Sequence, residues 1–202
     1  MILKNIYWYF KSALSDKFCD EILKYGKSKT DELAKVGTDN KITKKDLKKQ
    51  RNSNVAWIND QWVYNEIRPY LFKANENAGW NFQIDYAESC QFTKYGVEQF
   101  YDWHEDAWPE PYKSPDLNFN GKIRKLSITV SLSDPKDYKG GILEFAQPMG
   151  GPPNKDKIIQ CKEIMPRGSL VVFPSFIKHR VTRVTKGTRY SLVIWNLGKP
   201  FI

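Results

Sequence analysis

The feature that most constrains the fold is a run of short segments with β-forming character that begins after Gly79. These segments are rich in β-branched and aromatic residues, and turn residues separate them, as in LSDPKDYKGG and QPMGGPPN. They cover residues 80–87, 89–95, 98–104, 123–132, 141–146, 157–164, 169–173, 178–185 and 188–196. Many short strands with such turns predict an all-β sandwich or barrel in this part of the chain.

Two amphipathic helices are predicted ahead of the strands. The first follows Ser15, a suitable N-cap, and ends near Gly26, whereas the second runs from about residue 60 to residue 77. Their inner stripes are predicted to contain Phe18, Ile22 and Tyr25 in the first helix, and Trp62, Ile67, Leu71 and Ala74 in the second. We therefore predict a mainly β fold with supporting α: a jelly roll, or double-stranded β-helix, flanked by two or more N-terminal helices.

The chain is predicted to form one domain over residues 1–202, because it has no internal repeat and no linker. Residues 1–79 would provide the helical support and residues 80–197 the jelly-roll core. A polar stretch at about residues 37–54 is predicted to be a flap, since long loops in compact domains are often functional. Residues 109–122, PEPYKSPDLNFNGK, are predicted to be a loop that borders a site.

Charge and cysteine content constrain the partners and the compartment. Residues 41–51, KITKKDLKKQR, contribute much of the net charge of +9. Such a block steers a protein toward an anionic partner, but a solvated loop has the same composition, and no helix-turn-helix, zinc-finger or RNP signature makes nucleic acid the favoured partner. No apolar run reaches the roughly 20 residues of a membrane span. The three cysteines form no CxxC pair and no signal peptide is evident, so we predict a cytoplasmic protein with reduced thiols and no membrane partner.

Three side chains suggest a metal site. His104 and Asp106 are two residues apart, and a strand places residues i and i+2 on the same face. The only other histidine, His179, lies in the apolar run SLVVFPSFIKHRVTRV. Two imidazoles and one carboxylate that leave the remaining positions open are the ligand set of the non-haem Fe(II) oxygenases. Each histidine alone is more often a surface or core residue, so the three must be judged together.

Arg189 is a candidate anion-binding residue. It begins the alternating strand RYSLVIWN, on which residues 189, 191, 193 and 195 share one face. A buried guanidinium requires a planar anion, and a dicarboxylate cosubstrate supplies one through bidentate hydrogen bonds. A structural ion pair with an internal Asp or Glu would satisfy it equally, and the spacing alone does not separate the two.

These motifs together resemble the 2-oxoglutarate/Fe(II) dioxygenases, and most closely their prolyl 4-hydroxylase-like branch. The resemblance is carried by YGVEQFYDWHED at 95–106, GGILEF at 140–145, FPSFIKH at 173–179 and Arg189. Glu98 departs from the pattern, because glycine is common at this position in the branch. The similarity covers roughly residues 86–197, and the two preceding helices match the branch's N-terminal support.

The resemblance implies a role for each matching residue. His104, Asp106 and His179 would hold Fe(II), and the remaining metal positions would receive 2-oxoglutarate and O2. Arg189 would pair with the far carboxylate of 2-oxoglutarate, and Tyr95 would line its pocket.

Two further positions are implied less directly. Ser131 stands where some relatives have a second tyrosine near that carboxylate, so this contact would be water-mediated or absent. Trp195 would wall the pocket, although plain core packing explains Trp195 and Tyr95 nearly as well. Ascorbate is a candidate reductant.

The implied activity is hydroxylation by 2-oxoglutarate and O2 at non-haem Fe(II), with release of succinate and CO2. The favoured substrate is a prolyl residue in a peptide or protein, and a free amino acid, another small molecule or nucleic acid is the second choice for the same chemistry. A cupin-type metal module without redox activity is a rival function, although such sites usually recruit more than two histidines. A non-enzymatic binding module is a further rival, but it gives no reason for the spacing of the four motifs.

Overall fold

The computed structural model describes residues 3–29, 32–33, 50–149 and 155–201. The helices are α1 (Asp16–Ser28), α2 (Gln61–Asn77) and a 3-10 turn at Lys162–Ile164. The strands are β1 (Trp8–Phe10), β2 (Glu32–Leu33), β3 (Arg51–Asn52), β4 (Asn54–Ile58), β5 (Tyr86–Ala87), β6 (Cys90–Tyr95), β7 (Phe100–His104), β8 (Ile123–Ser131), β9 (Tyr138–Gly140), β10 (Leu143–Met149), β11 (Lys155–Gln160), β12 (Leu170–Pro174), β13 (His179–Val181), β14 (Val184–Gly187) and β15 (Arg189–Gly198).

Two antiparallel sheets form the body of the fold. The main sheet has the strand order β1-β12-β8-β15-β6-β4-β2, with β5 also paired to β15. The minor sheet has the order β11-β10-β13-β7-β3, and β14 pairs with β9 in a separate ribbon. Apart from the consecutive pair β10 and β11, most neighbouring strands in the two sheets are distant in sequence, as in a jelly roll. The predicted fold class, mainly β with supporting helices, is confirmed.

Two hydrophobic clusters hold these layers together. One lies between the helices and the main sheet, and includes Ile22 of α1, Ile67 of α2 and Ile194 of β15. The other contains residues of both sheets, among them Phe145 of β10 and Phe173 of β12. The main sheet is therefore covered by helices on one face, and its other face is turned toward the minor sheet.

The first helix begins as the sequence predicts and ends later. The hydroxyl of Ser15 accepts a hydrogen bond from the Phe18 amide at 3.1 Å, which caps α1. The helix continues past Gly26, which is buried against Phe92: a Cβ at this position would lie 2.5 Å from the Phe92 ring. Gly26 is thus required for close packing and does not end the helix.

The second helix has a different inner stripe from the one predicted at its start. Trp62 is 38% exposed, and Val63 is fully buried in its place. Trp62 instead packs on the ring of Phe18, with 5.6 Å between the ring centroids. Ile67, Leu71 and Ala74 are buried as predicted.

The predicted flap needs a correction at its end. Residues 37–49, and most of the basic block at 41–51, lie outside the described residues. Arg51–Asn52 and Asn54–Ile58 are strands paired with β7 and β6, so residues 51–54 belong to the sheets and not to a loop. Residues 109–122 contain no strand, as predicted. No helix within the described ranges has the length and apolar content that a membrane crossing requires.

Candidate functional site

The minor sheet brings His104, Asp106 and His179 together. His104 ends β7, His179 begins β13, and the two residues are direct partners in the antiparallel ladder. Asp106 follows β7 by two residues. One ligand atom from each side chain lies within 4.8 Å of the other two. The pairing of β7 with β13 is therefore the element that joins two histidines far apart in sequence.

Both imidazoles are oriented by carbonyl groups of their own chain segments. The Nδ1 of His104 lies 2.7 Å from the Asp102 carbonyl oxygen, and the Nδ1 of His179 lies 2.8 Å from that of Ile177. A carbonyl only accepts, so each Nδ1 carries a proton, and in the neutral ring the lone pair is then on Nε2. The Nε2 atoms face Asp106, at 3.8 Å from Oδ1 for His104 and 3.5 Å from Oδ2 for His179.

Two of the three groups, His104 and Asp106, are held in the protonation states that a metal requires. Burial, followed by the nearby His179, lowers the pKa of His104 to about 3, so its imidazole is neutral. Burial acts to raise the pKa of Asp106, but His179, His104 and Arg124 outweigh it, so the pKa lies below its ordinary value. Neutral imidazoles and an ionised carboxylate are the forms that coordinate metals.

Unpaired buried atoms are concentrated at this place. Four buried side-chain atoms lack a hydrogen-bond partner in the described part of the chain, and three of them are Asp106 Oδ2, Arg51 Nη2 and Trp195 Nε1. Buried polar atoms without a partner are rare and call for an explanation such as a bound ion or ligand. The donor set, its protonation and the free Asp106 oxygen all fit a divalent metal such as Fe(II).

Arg189 lies on the facing sheet, beside Tyr95. The two residues are ladder partners on β15 and β6, and the Arg189 guanidinium lies 5.5 Å from the centre of the Tyr95 ring. Arg189 is only 3% exposed and donates to the Ser191 hydroxyl at 3.1 Å. No acidic side chain among the described residues forms an ion pair with it, which disfavours the structural ion pair and supports an external anion.

A small cavity adjoins Arg189. Ser131 lines it and pairs with Ser191 across the β8–β15 ladder. Its other walls are Tyr138, Gly140, Gly141, Ile142, Leu143, Cys161, Ile164 and Met165. Gly141 is essential to this packing, because a Cβ there would lie 2.8 Å from Cδ of Arg189.

Trp195 lies further along the same face of β15 as Arg189. It is 6% exposed and pairs with Ser127 of β8. The Arg124 guanidinium lies 4.1 Å from the centre of its ring, and the Trp57 ring centroid is 6.2 Å away. Trp57 itself is 48% exposed, so the two indoles lead from the interior to the surface.

Two arginines near the candidate metal ligands could not be recognised from the sequence, and the first is Arg51. Arg51 of β3 lies 4.5 Å from the centre of the Tyr101 ring, and Tyr101 stacks on His104 with 3.4 Å between ring centroids. Arg51 is 5% exposed and donates through Nε to Ser53. Tyr101 is close to His104 in sequence, three residues before it. Arg51 is distant in sequence and reaches Tyr101 only through the pairing of β3 with β7.

The second of these arginines is Arg124, which pairs with Glu88. The guanidinium donates to both Glu88 carboxylate oxygens at 2.6 Å, and its Nη1 donates to the Asp106 carbonyl oxygen at 3.3 Å. Tyr112, in the loop predicted to border a site, donates to the same carboxylate at 3.0 Å. Only an alignment of related sequences could have singled out these residues, because their sequence separations are large.

Comparison with known proteins places the chain in a family. The model of the 2OG-Fe(II) oxygenase superfamily matches residues 90–196, more than half of the chain, and the chain belongs to this superfamily. Among curated proteins it is similar to a PKHD-type hydroxylase from Shewanella frigidimarina, with 35% identity over 52% of this chain and 41% of the relative. A PKHD-type hydroxylase from Thermosynechococcus vestitus is 31% identical over 52% of this chain and 40% of the relative. The matched region thus spans about two-fifths of each relative's length.

The fold is similar to those of solved prolyl hydroxylases. A viral collagen prolyl hydroxylase from Paramecium Bursaria Chlorella virus-1, in a 2OG complex, gives a TM-score of 0.63 at 19% identity and covers 96% of this chain and 97% of its own. A prolyl hydroxylase from Trichoplax adhaerens, in complex with a hypoxia inducible factor peptide fragment, gives a TM-score of 0.63 at 17% identity. This match covers 96% of this chain and 84% of the other. The predicted family is confirmed.

Proposed function

We propose that this protein is a 2-oxoglutarate- and O2-dependent hydroxylase that uses non-haem Fe(II). The observation that carries the proposal is the trio of His104, Asp106 and His179, with a neutral His104 imidazole, an ionised Asp106 carboxylate and one carboxylate oxygen that has no hydrogen-bond partner among the described residues. Membership of the 2OG-Fe(II) oxygenase superfamily supports the same cofactor set. Bound iron, 2-oxoglutarate and O2 together supply oxidative decarboxylation of 2-oxoglutarate to succinate and CO2, with the second oxygen atom inserted into a substrate C–H bond.

The residues of the chain bind and orient the reactants. His104, Asp106 and His179 would hold the metal, and Arg189 would bind the far carboxylate of 2-oxoglutarate, with Tyr95 beside it. Ser131, Leu143 and Cys161 would close the pocket around that carboxylate. Trp195 would form the wall that faces the substrate and exclude water from the reacting atoms, because its indole is almost fully buried.

A prolyl residue in a peptide or protein is the proposed substrate. A peptide presents carbonyl acceptors, and the unpaired donors on Arg51 and Trp195 match them. The adjoining indoles of Trp57 and Trp195 form an apolar corner open to solvent, which fits a proline ring, since proline-rich chains dock on aromatic surfaces. The likeness in fold to prolyl hydroxylases supports the same choice.

The rival functions are weaker on specific grounds. A free amino acid or other small molecule would leave the exposed edge of this corner without a role. A cupin-type module without redox activity gives no reason for a buried Arg189 that lacks an acidic partner among the described residues. Hydroxylation of nucleic acid would favour unpaired basic side chains near the site, but Arg124 is paired there with Glu88.

The test uses the full chain purified without oxygen and supplied with Fe(II), 2-oxoglutarate, O2 and a panel of proline-containing peptides. We expect succinate release and a peptide product that has gained one oxygen atom on proline, measured by mass spectrometry. Parallel reactions with and without added ascorbate test its role as reductant. Failure to release succinate under any of these conditions would refute the hydroxylase. Succinate release without a peptide product would move the substrate to small molecules.

A further inference from the structure

Arg124 of β8 connects three parts of the interior through one guanidinium group. Its Nε and Nη2 donate to the two Glu88 carboxylate oxygens at 2.6 Å, which is the bidentate geometry of strong arginine–carboxylate pairs. Its Nη1 donates to the Asp106 carbonyl oxygen at 3.3 Å. The group also lies over the Trp195 indole, 4.1 Å from the centre of the ring. The edge of the guanidinium is thus bound by oxygen atoms, and its face is left for the indole.

Glu88 is a fixed anchor for this guanidinium. It is 8% exposed, and its amide donates to the Trp195 carbonyl at 2.9 Å, which ties it to β15. Its own carbonyl accepts a hydrogen bond from the Tyr64 hydroxyl of α2 at 2.9 Å. Its carboxylate accepts a further bond from Tyr112 at 3.0 Å. Because both its backbone and its carboxylate are held, Glu88 determines where Arg124 lies.

The Trp195 indole, by contrast, has no hydrogen bond that sets its direction. Its Nε1 is buried and lacks a partner in the described part of the chain. The Trp57 ring is 6.2 Å away between centroids, but Trp57 is itself 48% exposed. A guanidinium over an indole attracts it more strongly when water is excluded, as it is here. The stack on Arg124 is therefore the contact best placed to fix the plane of the ring.

We propose that Arg124 is a positioning residue that acts through Trp195. Held by Glu88, it keeps the indole in one orientation, and so keeps the free Nε1 donor at the place where the proposed function puts the substrate. This inference rests on the proposed function and adds to it the group that orients the substrate wall.

The loop after Asp106 is fastened to the same carboxylate, but by a different route. The Tyr112 hydroxyl, which donates to Glu88, accepts a hydrogen bond from Nε1 of Trp108 at 3.1 Å. The centre of the Trp108 ring is 5.8 Å from the Arg124 guanidinium, farther than that of Trp195. Loss of the Tyr112 hydroxyl should therefore release Trp108 and leave Trp195 in place.

A purely structural role for the pair predicts a different result. In that case Arg124 only neutralises the buried Glu88, and its removal is harmful because a buried charge is left unpaired. Changing both partners together removes that charge, so stability and the position of the indole should both recover. If Arg124 positions Trp195, stability recovers in the double variant, but the indole does not return to one orientation.

The experiment records the fluorine NMR spectrum of the full chain labelled with 5-fluorotryptophan, without metal and with Mn(II). The Trp195 line is the one that Trp195→Phe lacks. In Arg124→Met we expect this line to split, because the indole occupies more than one orientation, and its paramagnetic broadening by Mn(II) to change. Loss of the neighbouring charge shifts the line in any case, so splitting and broadening are the deciding quantities. Arg124→Met/Glu88→Gln should keep the split line while the free energy of unfolding in urea recovers.

Arg167→Met is the matched control. Arg167 also pairs with a carboxylate, that of Asp20 in α1, and also donates to a backbone carbonyl, that of Leu132. Neither partner is a candidate site residue, so the Trp195 line should stay single with its wild-type broadening. Tyr112→Phe should give the same result for Trp195.

Two results would overturn the positioning role. One is a single Trp195 line with wild-type Mn(II) broadening in Arg124→Met, and the other is the return of a single line in the double variant. If Arg124→Met does not fold, the double variant alone decides. A wild-type protein that binds no Mn(II) would refute the proposed metal site, whereas the metal-free spectra would still show whether Arg124 orients the indole.

Discussion

The two sheets that face each other across the interior contribute different chemistry. The minor sheet and its turns supply His104, Asp106 and His179. The main sheet supplies Arg189 and Tyr95, as well as Trp195. The histidines on the minor sheet are oriented by local backbone carbonyls, whereas Arg189 is set by packing against Gly141 and by cross-strand neighbours. The proposed function thus places metal binding on the minor sheet and cosubstrate binding on the main sheet.

The largest effect on activity is expected from changes in the minor sheet, which carries the candidate metal ligands. His104→Ala should abolish metal binding and succinate release, because it removes one of only three protein ligands. Mn(II) EPR and a succinate assay measure the two effects, and circular dichroism checks the fold. Glu105→Ala, at the exposed neighbouring position, is the control and should leave both unchanged. Retained Mn(II) affinity in His104→Ala would remove His104 from the ligand set.

The next largest effect is expected on 2-oxoglutarate binding, from a change of Arg189 in the main sheet. Arg189→Ala should weaken 2-oxoglutarate binding by about 2 to 5 kcal/mol, because a buried charge pair is lost, and should leave Mn(II) affinity unchanged. Isothermal titration calorimetry with Mn(II)-loaded protein measures the first quantity. Arg189→Lys keeps the charge but not the planar fork, so an intermediate loss is expected. If Arg189→Ala weakened Mn(II) binding as much as 2-oxoglutarate binding, the two sheets would not have separate binding roles.

A smaller effect on 2-oxoglutarate binding is expected from the packing of Gly141 against Arg189. Gly141→Ala places a Cβ 2.8 Å from Cδ of Arg189, and the resulting shift of the guanidinium should cost about 1 to 3 kcal/mol of 2-oxoglutarate binding. Gly121→Ala is the matched control, since Gly121 has a similar positive φ of 72° but no atom within 4 Å of its Cβ position. If both variants raise the 2-oxoglutarate Kd equally, backbone strain and not the Arg189 contact is responsible.

The smallest effect concerns the turn that leads into β7. Glu98 has φ 66°, a left-handed conformation that favours glycine, and Arg183 donates to its carbonyl and carboxylate at 3.0 Å. Glu98→Gly should relieve strain of about 1 to 2 kcal/mol and lose an exposed pair that contributes about 0 to 1 kcal/mol. A slight rise in the free energy of unfolding is expected in urea denaturation. A clear fall in the free energy of unfolding would mean that the Arg183–Glu98 pair stabilises the fold by more than the strained backbone at Glu98 costs.

The sequence predicted those parts of the site that depend on short spacing. His104 and Asp106 are two residues apart, and Arg189 heads an alternating strand, so periodicity was enough to indicate their faces. Arg51, Glu88 and Arg124 were missed because ladder pairing between distant segments, and not periodicity, brings them to the ligands. Trp62 was assigned to the buried stripe by its type, but Val63 fits the space under α2. The cytoplasmic location and the single-domain organisation stay predictions.

Each imidazole in the site is held by the carbonyl of a residue only two positions before it. This hydrogen bond is therefore formed within three consecutive residues of the chain. Such a unit is modular: it can be moved to another β-scaffold with its donor direction intact, provided that two copies are placed opposite each other in one antiparallel ladder. This local hydrogen bond makes the histidine pair a simpler starting point for building a new metalloprotein than Asp106, whose backbone amide donates to the carbonyl of the distant Ser175.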